Sequence, residues 1–92
     1  MIKPRFLAFI LANDQEEFLH DYENRPGVVA RGWTPFPDLA KRFSTRRAAE
    51  CAVRKLEAGY PVYVVELHDD GDRLIVAADE AFPRPCWLAA LH

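Results

Sequence analysis

The stretch STRRAAECAVRKLEAGYPVYVVEL, residues 44–67, decides the fold class, because a helical pattern changes into a strand pattern within it. Ser44 suits the N-cap of a helix, Gly59 suits the position after its end, and no glycine or proline lies between them. Pro61 to Leu67 is rich in β-branched and aromatic residues, which favour a strand. At about 100° per residue, the apolar arc of the helix comprises Thr45, Ala48, Ala49, Ala52, Val53 and Leu56. Alanines on this arc predict a helix that lies close against a sheet.

Toward the N-terminus, Phe6–Ala12 is apolar at every position. Apolar residues on both alternating faces are typical of a central strand that is covered on each side. A basic head precedes this segment, as in a secretory signal, but polar Asn13 and Asp14 follow after only seven apolar positions. We therefore interpret Phe6–Ala12 as a buried strand.

The acidic segment that follows, residues 13–24, is predicted to be a short helix. Asp14 and Glu17 have the spacing of a capping box, in which two side chains satisfy the free N–H groups of a helix start. The apolar face of this helix would comprise Phe18, Leu19 and Tyr22. Residues 28–33 then predict a second strand, which Gly32 weakens.

The rest of the chain completes the prediction of the fold. Thr34–Pro37 must be a loop, because its two prolines lack the N–H that a sheet ladder needs, and residues 39–43 predict a brief strand. Residues 61–78 read as a hairpin whose turn is His68–Asp72, and the apolar tail 79–92 should fold back onto the core. We predict a single α+β domain over residues 1–92, with a small antiparallel or mixed sheet of three to five strands and one main helix packed on a face.

Composition excludes several classes of protein. The chain has 92 residues, half of them apolar, and 14 acidic against 12 basic residues give a formal charge of -2. This balance is neither that of a polycation nor that of a disordered acidic chain. The two cysteines, Cys51 and Cys86, form no CxxC pair, which favours a reducing cytoplasm, and no run approaches the ~18 apolar residues of a membrane span. We expect a cytoplasmic protein without a membrane partner.

Catalytic and metal-binding motifs are not found in the sequence. His20, His68 and His92 lie in separate segments, and residues 69–72 match only a fragment of a calcium loop. A hairpin turn explains the aspartates of this fragment better. Nucleophile elbows, phosphate-binding loops and dinucleotide fingerprints are missing as well. We therefore expect no enzyme activity, no cofactor and no metal.

Charge is segregated along the chain as acidic, basic, acidic. Four basic residues surround the start of the long helix, where the helix dipole disfavours cations, namely Lys41, Arg42, Arg46 and Arg47, and Arg54 lies farther along its outer face. Either they pair with Asp38 or the acidic segments, or they bind an anion, a nucleic acid or an acidic protein patch. The candidate acidic surface comprises Asp14, Glu16, Glu17, Asp69, Asp70 and Asp72. It is either a solvated face or a decoy for a basic groove.

The loop Trp33–Pro37 is a second candidate contact surface. Prolines stiffen it and it carries the large aromatic residues Trp33 and Phe36, so it would lose little entropy on docking. The alternative is a loop that only covers one end of the core. Both interpretations stay open at this point.

The passage from Phe43-Ser44-Thr45 through Pro61–Leu67, with the small size and the lack of a catalytic motif, resembles the short accessory proteins of bacteriophages and mobile elements, including anti-CRISPR inhibitors. The resemblance implies inhibition by occupying a surface of a nucleoprotein complex. Three hypotheses follow in order of preference. They are a protein-binding inhibitor or adaptor, a nucleic-acid-binding protein that uses residues 41–55, and a structural subunit that forms a homodimer or larger oligomer through a sheet edge.

Overall fold

The computed structural model describes residues 4–25, 28–56 and 58–88, and within them five strands and one α-helix. In chain order these elements are β1 (Arg5–Asn13), β2 (Phe18–Arg25), β3 (Val28–Thr34), α1 (Arg46–Leu56), β4 (Val62–Asp69) and β5 (Leu74–Ala78). The strands form one antiparallel sheet in the order β3-β2-β1-β4-β5. An α+β fold with an antiparallel sheet is thus confirmed. None of the described helices combines the length and apolar character that crossing a membrane requires.

Strand β1 is central, as its sequence predicts. It pairs with β4 over nearly its whole length, from Arg5 opposite Asp69 to Asn13 opposite Val62. Successive side chains of a strand point to opposite faces, and those of β1 accordingly enter two different apolar clusters. This is why a continuous apolar run, rather than an alternating one, is needed here.

The first cluster contains the buried side chains of α1. Ala49, Ala52 and Leu56 lie in it together with residues of β1, β2 and β4, namely Phe9, Leu11, Leu19 and Val64. The helix begins one residue later than predicted, because Thr45 Oγ1 accepts the N–H of Ala48 at 3.1 Å. Thr45, rather than Ser44, therefore provides the side-chain cap.

The second cluster lies on the other alternating set of positions and comprises Ile10, Ala12, Phe18, Ala40, Val65 and Leu67. Trp87 and Leu88 pack against it, and the Trp87 ring meets the Phe18 ring edge-on at 5.8 Å between centroids. The tail thus returns to the core as predicted as far as Leu88, and residues 89–92 lie outside the described part of the chain.

The helix predicted for residues 13–24 is wrong, because most of this segment is strand β2. Phe18 and Leu19 are adjacent and both buried, yet Phe18 belongs to the second cluster and Leu19 to the first. Neighbours that point to opposite faces require the two-residue period of a strand. The spacing of apolar residues also fits one face of a helix, so it is the pairing with β3 that makes this segment a strand.

The connection between β3 and α1 inserts into the sheet. Strands β1 and β2 are joined by one residue pair, Ala12 opposite Phe18, and then diverge. Phe43 fills the next place beside β1 by exchanging two backbone hydrogen bonds of 2.8 Å with Phe9, while Lys41 N donates to Leu19 O of β2 at 2.8 Å. The brief strand predicted for residues 39–43 is thus reduced to a single bridge, preceded by a 3-10 turn at Pro37–Leu39.

Candidate functional site

A cleft of about 400 Å³ lies at the end of the sheet where β1 ends and β4 begins. The turn between β1 and β2 supplies its polar side, and the end of β3 with the residues before β4 supplies its aromatic side. The lining residues are Asn13, Asp14, Gln15, Glu17, Trp33, Tyr60 and Pro61. We refer to this site as the acidic-aromatic cleft.

Asn13 shapes the polar side of the cleft. This residue is buried, and its Oδ1 accepts the backbone N–H groups of Gln15 at 2.9 Å and of Glu17 at 3.0 Å. Its Nδ2 donates to the Glu17 carboxylate at 3.2 Å, and its backbone carbonyl accepts the Trp87 indole N–H at 2.7 Å. One side chain therefore organises the whole turn and positions one of the two carboxylates of the cleft.

The same turn contains a residue in an uncommon backbone conformation. Glu16 has a φ of 59°, in the left-handed region that non-glycine residues adopt rarely. The hydrogen bonds of Asn13 on both sides of Glu16 offset this strain, which is of order 1 kcal/mol. The turn is therefore held in one shape before any ligand arrives.

Asp14 is anchored from the neighbouring strand. Its Oδ1 accepts the hydroxyl of Tyr63 in β4 at 2.9 Å. This hydrogen bond is the main reason why the pKa of Tyr63 is raised above its ordinary value, because it stabilises the protonated phenol beside a carboxylate. Both carboxylates of the cleft are thus held by neutral donors, Asp14 by a phenol and Glu17 by an amide.

The aromatic side is built from two rings that contact each other. The Trp33 indole N–H donates to the Tyr60 hydroxyl at 3.1 Å, and the ring centroids lie 6.1 Å apart at an angle of 58°. Tyr60 is 45% exposed, whereas Trp33 is half-buried against the first apolar cluster. Gly59 directly precedes Tyr60 with a φ of 73°, a conformation that suits glycine and turns the chain after α1 toward the cleft.

The cleft carries uncompensated negative charge within the described part of the molecule. Its described lining contains two carboxylates and no lysine, arginine or histidine. Neither Asp14 nor Glu17 forms an ion pair with a described residue, and each has one carboxylate oxygen without a described partner. The arrangement is suited to a ligand that brings both positive charge and apolar surface.

The structure divides the predicted aromatic surface. Trp33 lies in the cleft, whereas Phe36 is outside its lining and 58% exposed, not far along the chain from Leu39, which is 51% exposed. The backbone N–H of Phe36 donates to Thr34 Oγ1 at 3.2 Å, so the loop is itself ordered by a local bond. Only one of the two predicted aromatic residues therefore belongs to the site.

The predicted basic surface is partly used inside the molecule. Arg46 Nε contacts both carboxylate oxygens of Asp79, at 3.1 and 3.3 Å, and its guanidinium lies 5.6 Å from the centre of the Phe9 ring. An acidic residue of the third charged segment therefore compensates the arginine that begins α1. The remaining members are exposed on the surface and comprise Lys41, Arg42, Arg47 and Arg54.

The second half of the predicted acidic surface forms a turn. Asp69 Oδ1 accepts the N–H of Gly71 at 2.8 Å, and Asp70 Oδ1 accepts the N–H groups of Asp72 at 3.0 Å and Arg73 at 2.9 Å. These backbone hydrogen bonds lower the pKa of Asp70. The predicted β4–β5 hairpin is confirmed, but its turn is residues 70–73, because His68 and Asp69 pair with β5 as the end of β4. None of the described His, Cys, Asp and Glu residues forms a group of three or more that could hold a metal ion.

A chain of four polar side chains lies away from the cleft, and we call it the buried polar chain after its fully buried member, Asp79. Arg46 contacts Asp79, Asp79 accepts a hydrogen bond from Glu66 when Glu66 is protonated, and Glu66 Oε1 lies 2.7 Å from His68 Nε2. The Asp79 side chain is fully buried and also accepts the N–H of Ala81 at 2.8 Å. Burial, together with the hydrogen bond to Asp79, raises the pKa of Glu66 against the opposing effect of His68. Burial opposes ionisation of Asp79 too, but its hydrogen bonds outweigh it and lower the pKa of Asp79.

Sequence reasoning identified Trp33, Asp14 and Glu17 but missed the residues that make them a site. Asn13 falls at the start of the helix predicted for residues 13–24, and no role is predicted for Tyr60. The sequence does contain a signal for Asn13. An asparagine that follows a strand and begins a polar run is typical of an Asx turn. No protein-family model, curated protein or solved structure matches the chain.

Proposed function

We propose that this chain is a non-enzymatic protein-binding module and that the acidic-aromatic cleft receives a segment of its partner. The observation that carries the proposal is an open cleft with exposed aromatic surface and a preformed polar side. Its volume of about 400 Å³ lies in the lower part of the range of ~300 to 1,000 Å³ for ligand sites. Such a site accommodates one or two side chains of a partner rather than a broad surface.

The rigidity of the cleft supports binding. Trp and Tyr provide large contact area with few rotatable bonds, and the Trp33–Tyr60 hydrogen bond restricts them further. The four bonds of Asn13 similarly hold the polar side in place. A ligand therefore loses little free energy to ordering this site when it binds.

A partner-binding cleft also fits the class of protein that the sequence resembles. A phage or mobile-element inhibitor of the anti-CRISPR type would act by capturing one protein of a nucleoprotein complex. Two free cysteines, Cys51 and Cys86, support a place in the reducing cytoplasm. The inhibitor class and the cytoplasmic location are therefore both part of what we propose.

Affinity purification with matched variants tests the proposal. Tagged wild-type protein and the variants Tyr60→Ala, Trp33→Ala and Phe36→Ala are expressed in the source cell, and captured proteins are identified by mass spectrometry. We expect wild type and Phe36→Ala to capture the same partner, and Tyr60→Ala to lose it, because Phe36 is exposed but outside the cleft. Trp33→Ala should also fail to capture the partner, provided that circular dichroism shows that this variant is folded.

Two results would reject the proposal. One is capture of the partner by Tyr60→Ala at the wild-type level, and the other is no specific capture by wild type. Purification at two salt concentrations with and without nuclease also tests the nucleic-acid alternative, since contacts of Lys41, Arg42 and Arg47 with phosphate would weaken steeply with salt. Retention of nucleic acid at low salt in the Tyr60→Ala variant would favour that alternative.

A further inference from the structure

We infer that the occupant of the acidic-aromatic cleft is an arginine side chain, presented by a basic segment of the partner protein. This inference rests on the proposed function and specifies the chemical class of the ligand. It commits to a guanidinium group that contacts the carboxylates of Asp14 and Glu17 while its apolar stem lies along the aromatic side. Three features of the cleft lead to it.

The first feature is charge. Asp14 and Glu17 each give one oxygen to a neutral donor and keep the other without a described partner. The described lining has no cation of its own, so two negative charges face a small, partly enclosed space. A polyanion such as nucleic acid would be repelled there, and a neutral sugar would leave the charge uncompensated.

The second feature is the aromatic side. Cations are attracted to the faces of Trp and Tyr rings, and the Trp33–Tyr60 pair with its exposed tyrosine presents such surface beside the carboxylates. Because the two rings are already packed on each other, a cation has to lie on their outer surface. Pro61 extends the apolar contact for the stem of a long side chain.

The third feature distinguishes arginine from lysine. The two available oxygens belong to different residues, Asp14 on one side of the left-handed residue Glu16 and Glu17 on the other. A guanidinium has five N–H donors in a planar fork, which lets one group pair with two carboxylates while its plane stacks on a ring. An ammonium group is a compact, strongly hydrated charge and satisfies these demands less well.

Short capped peptides that differ at one position test the inference. The probes are Gly-Gly-Xaa-Gly-Gly with arginine, lysine, citrulline or glutamate at the centre, since citrulline has the shape of arginine without its charge. Binding is followed by the NMR signal of the Trp33 indole N–H, with peptide up to about 10 mM to detect millimolar affinity. We expect the arginine peptide to shift this signal, the lysine peptide to bind about tenfold more weakly, and the other two not to bind.

Charge-neutralising variants provide the matched controls. Asp14→Asn keeps an acceptor for Tyr63, and Glu17→Gln keeps one for Asn13, so both should fold while the affinity for the arginine peptide falls about tenfold. Asp72→Asn makes the same change of charge in the distant β4–β5 turn, where the Asp72 side chain is exposed, and should leave the affinity unchanged.

Failure of this inference can be distinguished from failure of the proposed function. No shift of the Trp33 signal, equal binding of citrulline and arginine, or unchanged affinity in both cleft variants would overturn the arginine assignment. A shift caused only by a neutral oligosaccharide, or a self-associated species that Asp14→Asn dissociates, would assign the cleft to a sugar or to a second copy of the chain. If Tyr60→Ala still abolishes partner capture, the proposed function stands in each of these cases.

Discussion

Two pairs of carboxylates in this protein lie in opposite electrostatic situations. In the buried polar chain, Glu66 and Asp79 are hydrogen-bonded to each other and lie between His68 and Arg46. In the acidic-aromatic cleft, the two carboxylates are held by a phenol and an amide, and no described cation is near them. The first pair has the counter-charge of Arg46 within the molecule, and the second is open to a ligand.

The comparison shows that the position of the counter-charge, rather than the type of residue, separates a structural pair from a binding pair. Both pairs consist of one Asp and one Glu, and both lie beside aromatic rings, Phe9 near Arg46 and the Trp33–Tyr60 pair in the cleft. A buried charge must be paired within the protein, whereas an exposed charge can remain unpaired until a ligand binds. Variants of the pair in the buried polar chain should therefore mainly lower stability. Variants of the pair in the cleft should mainly lower binding.

The largest effect on stability is expected from Asp79→Ala. This variant removes the acceptor for Arg46 and for the N–H of Ala81 at a fully buried position, so we expect a loss of about 3 kcal/mol in the free energy of unfolding. Asp79→Asn keeps an acceptor for Ala81 and should lose roughly half as much. Urea denaturation at neutral pH measures both, and equal stabilities of wild type and Asp79→Ala would contradict the structural role.

A smaller effect, on both stability and binding, is expected from Asn13→Ala. It removes the acceptor for two backbone N–H groups in the β1–β2 turn, so we expect a loss of about 2 kcal/mol, because these groups are partly buried. Asn13→Asp retains the acceptor and should lose less, although it adds negative charge. Thermal unfolding of Asn13→Ala and Asn13→Asp, with and without the arginine peptide, measures both effects. Full affinity of Asn13→Ala for the peptide would disprove that the turn shapes the cleft.

The pH dependence of stability should come from the buried polar chain. The pKa of Glu66 is raised above its ordinary value of 4.5, so its contribution to stability is complete below that value and is lost as the pH rises through the raised pKa. Asp79 acts in the opposite direction, since its pKa is below 3.8 and its contribution is lost as the pH falls. Glu66→Gln should remove the decline at higher pH, which cannot exceed ~1.4 kcal/mol per pH unit for one proton.

Unfolding free energies of wild type and Glu66→Gln between about pH 4 and about pH 8 measure this difference. The two titration curves should diverge as the pH rises. Parallel curves over the whole range would show that the proton at Glu66 is not linked to folding.

The smallest effects separate two neighbouring arginines at the start of α1. Arg46→Ala loses the contact with Asp79 and the Phe9 ring, and since Arg46 is itself mostly exposed we expect a loss of about 1 kcal/mol. Arg47→Ala changes an exposed residue and should stay within about 0.5 kcal/mol of wild type. Chemical denaturation of both variants in parallel checks the order, and an Arg47→Ala loss larger than that of Arg46→Ala would reverse our assignment.

Much of the fold follows from local patterns in the sequence. The central strand, the main helix and the β4–β5 hairpin each have a continuous signal of apolar periodicity, capping residue or turn. Strand β2 does not, because the apolar spacing of Phe18, Leu19 and Tyr22 also fits a helix and only pairing with β3 selects the strand. Local signals therefore predicted elements, and tertiary pairing decided the ambiguous one.

The candidate site was less predictable for the same reason. Trp33 was identified from its loop, but its contact with Tyr60 joins residues 27 positions apart, and the bond between Trp87 and Asn13 spans 74 positions. Likewise, Asp14 and Asp70 are both acidic turn residues, and only the fold places one in a cleft and the other in a hairpin turn. Contacts of such long range leave no local pattern.

The insertion of residues 41–43 between β1 and β2 also affects the rate of folding. The β1–β2 turn joins segments that are neighbours in sequence, so we expect it to close early. On the same edge of β1 the next pairing partner is Phe43, and on the opposite edge it is β4. Both partners lie far along the chain from β1. Each of these contacts requires the closure of a long loop before it contributes stability. We therefore expect a high contact order and a folding time of about a millisecond to about a second, rather than the microseconds of helical bundles. We therefore expect the cleft, which lies where β1 meets β4, to form only as these long-range contacts close.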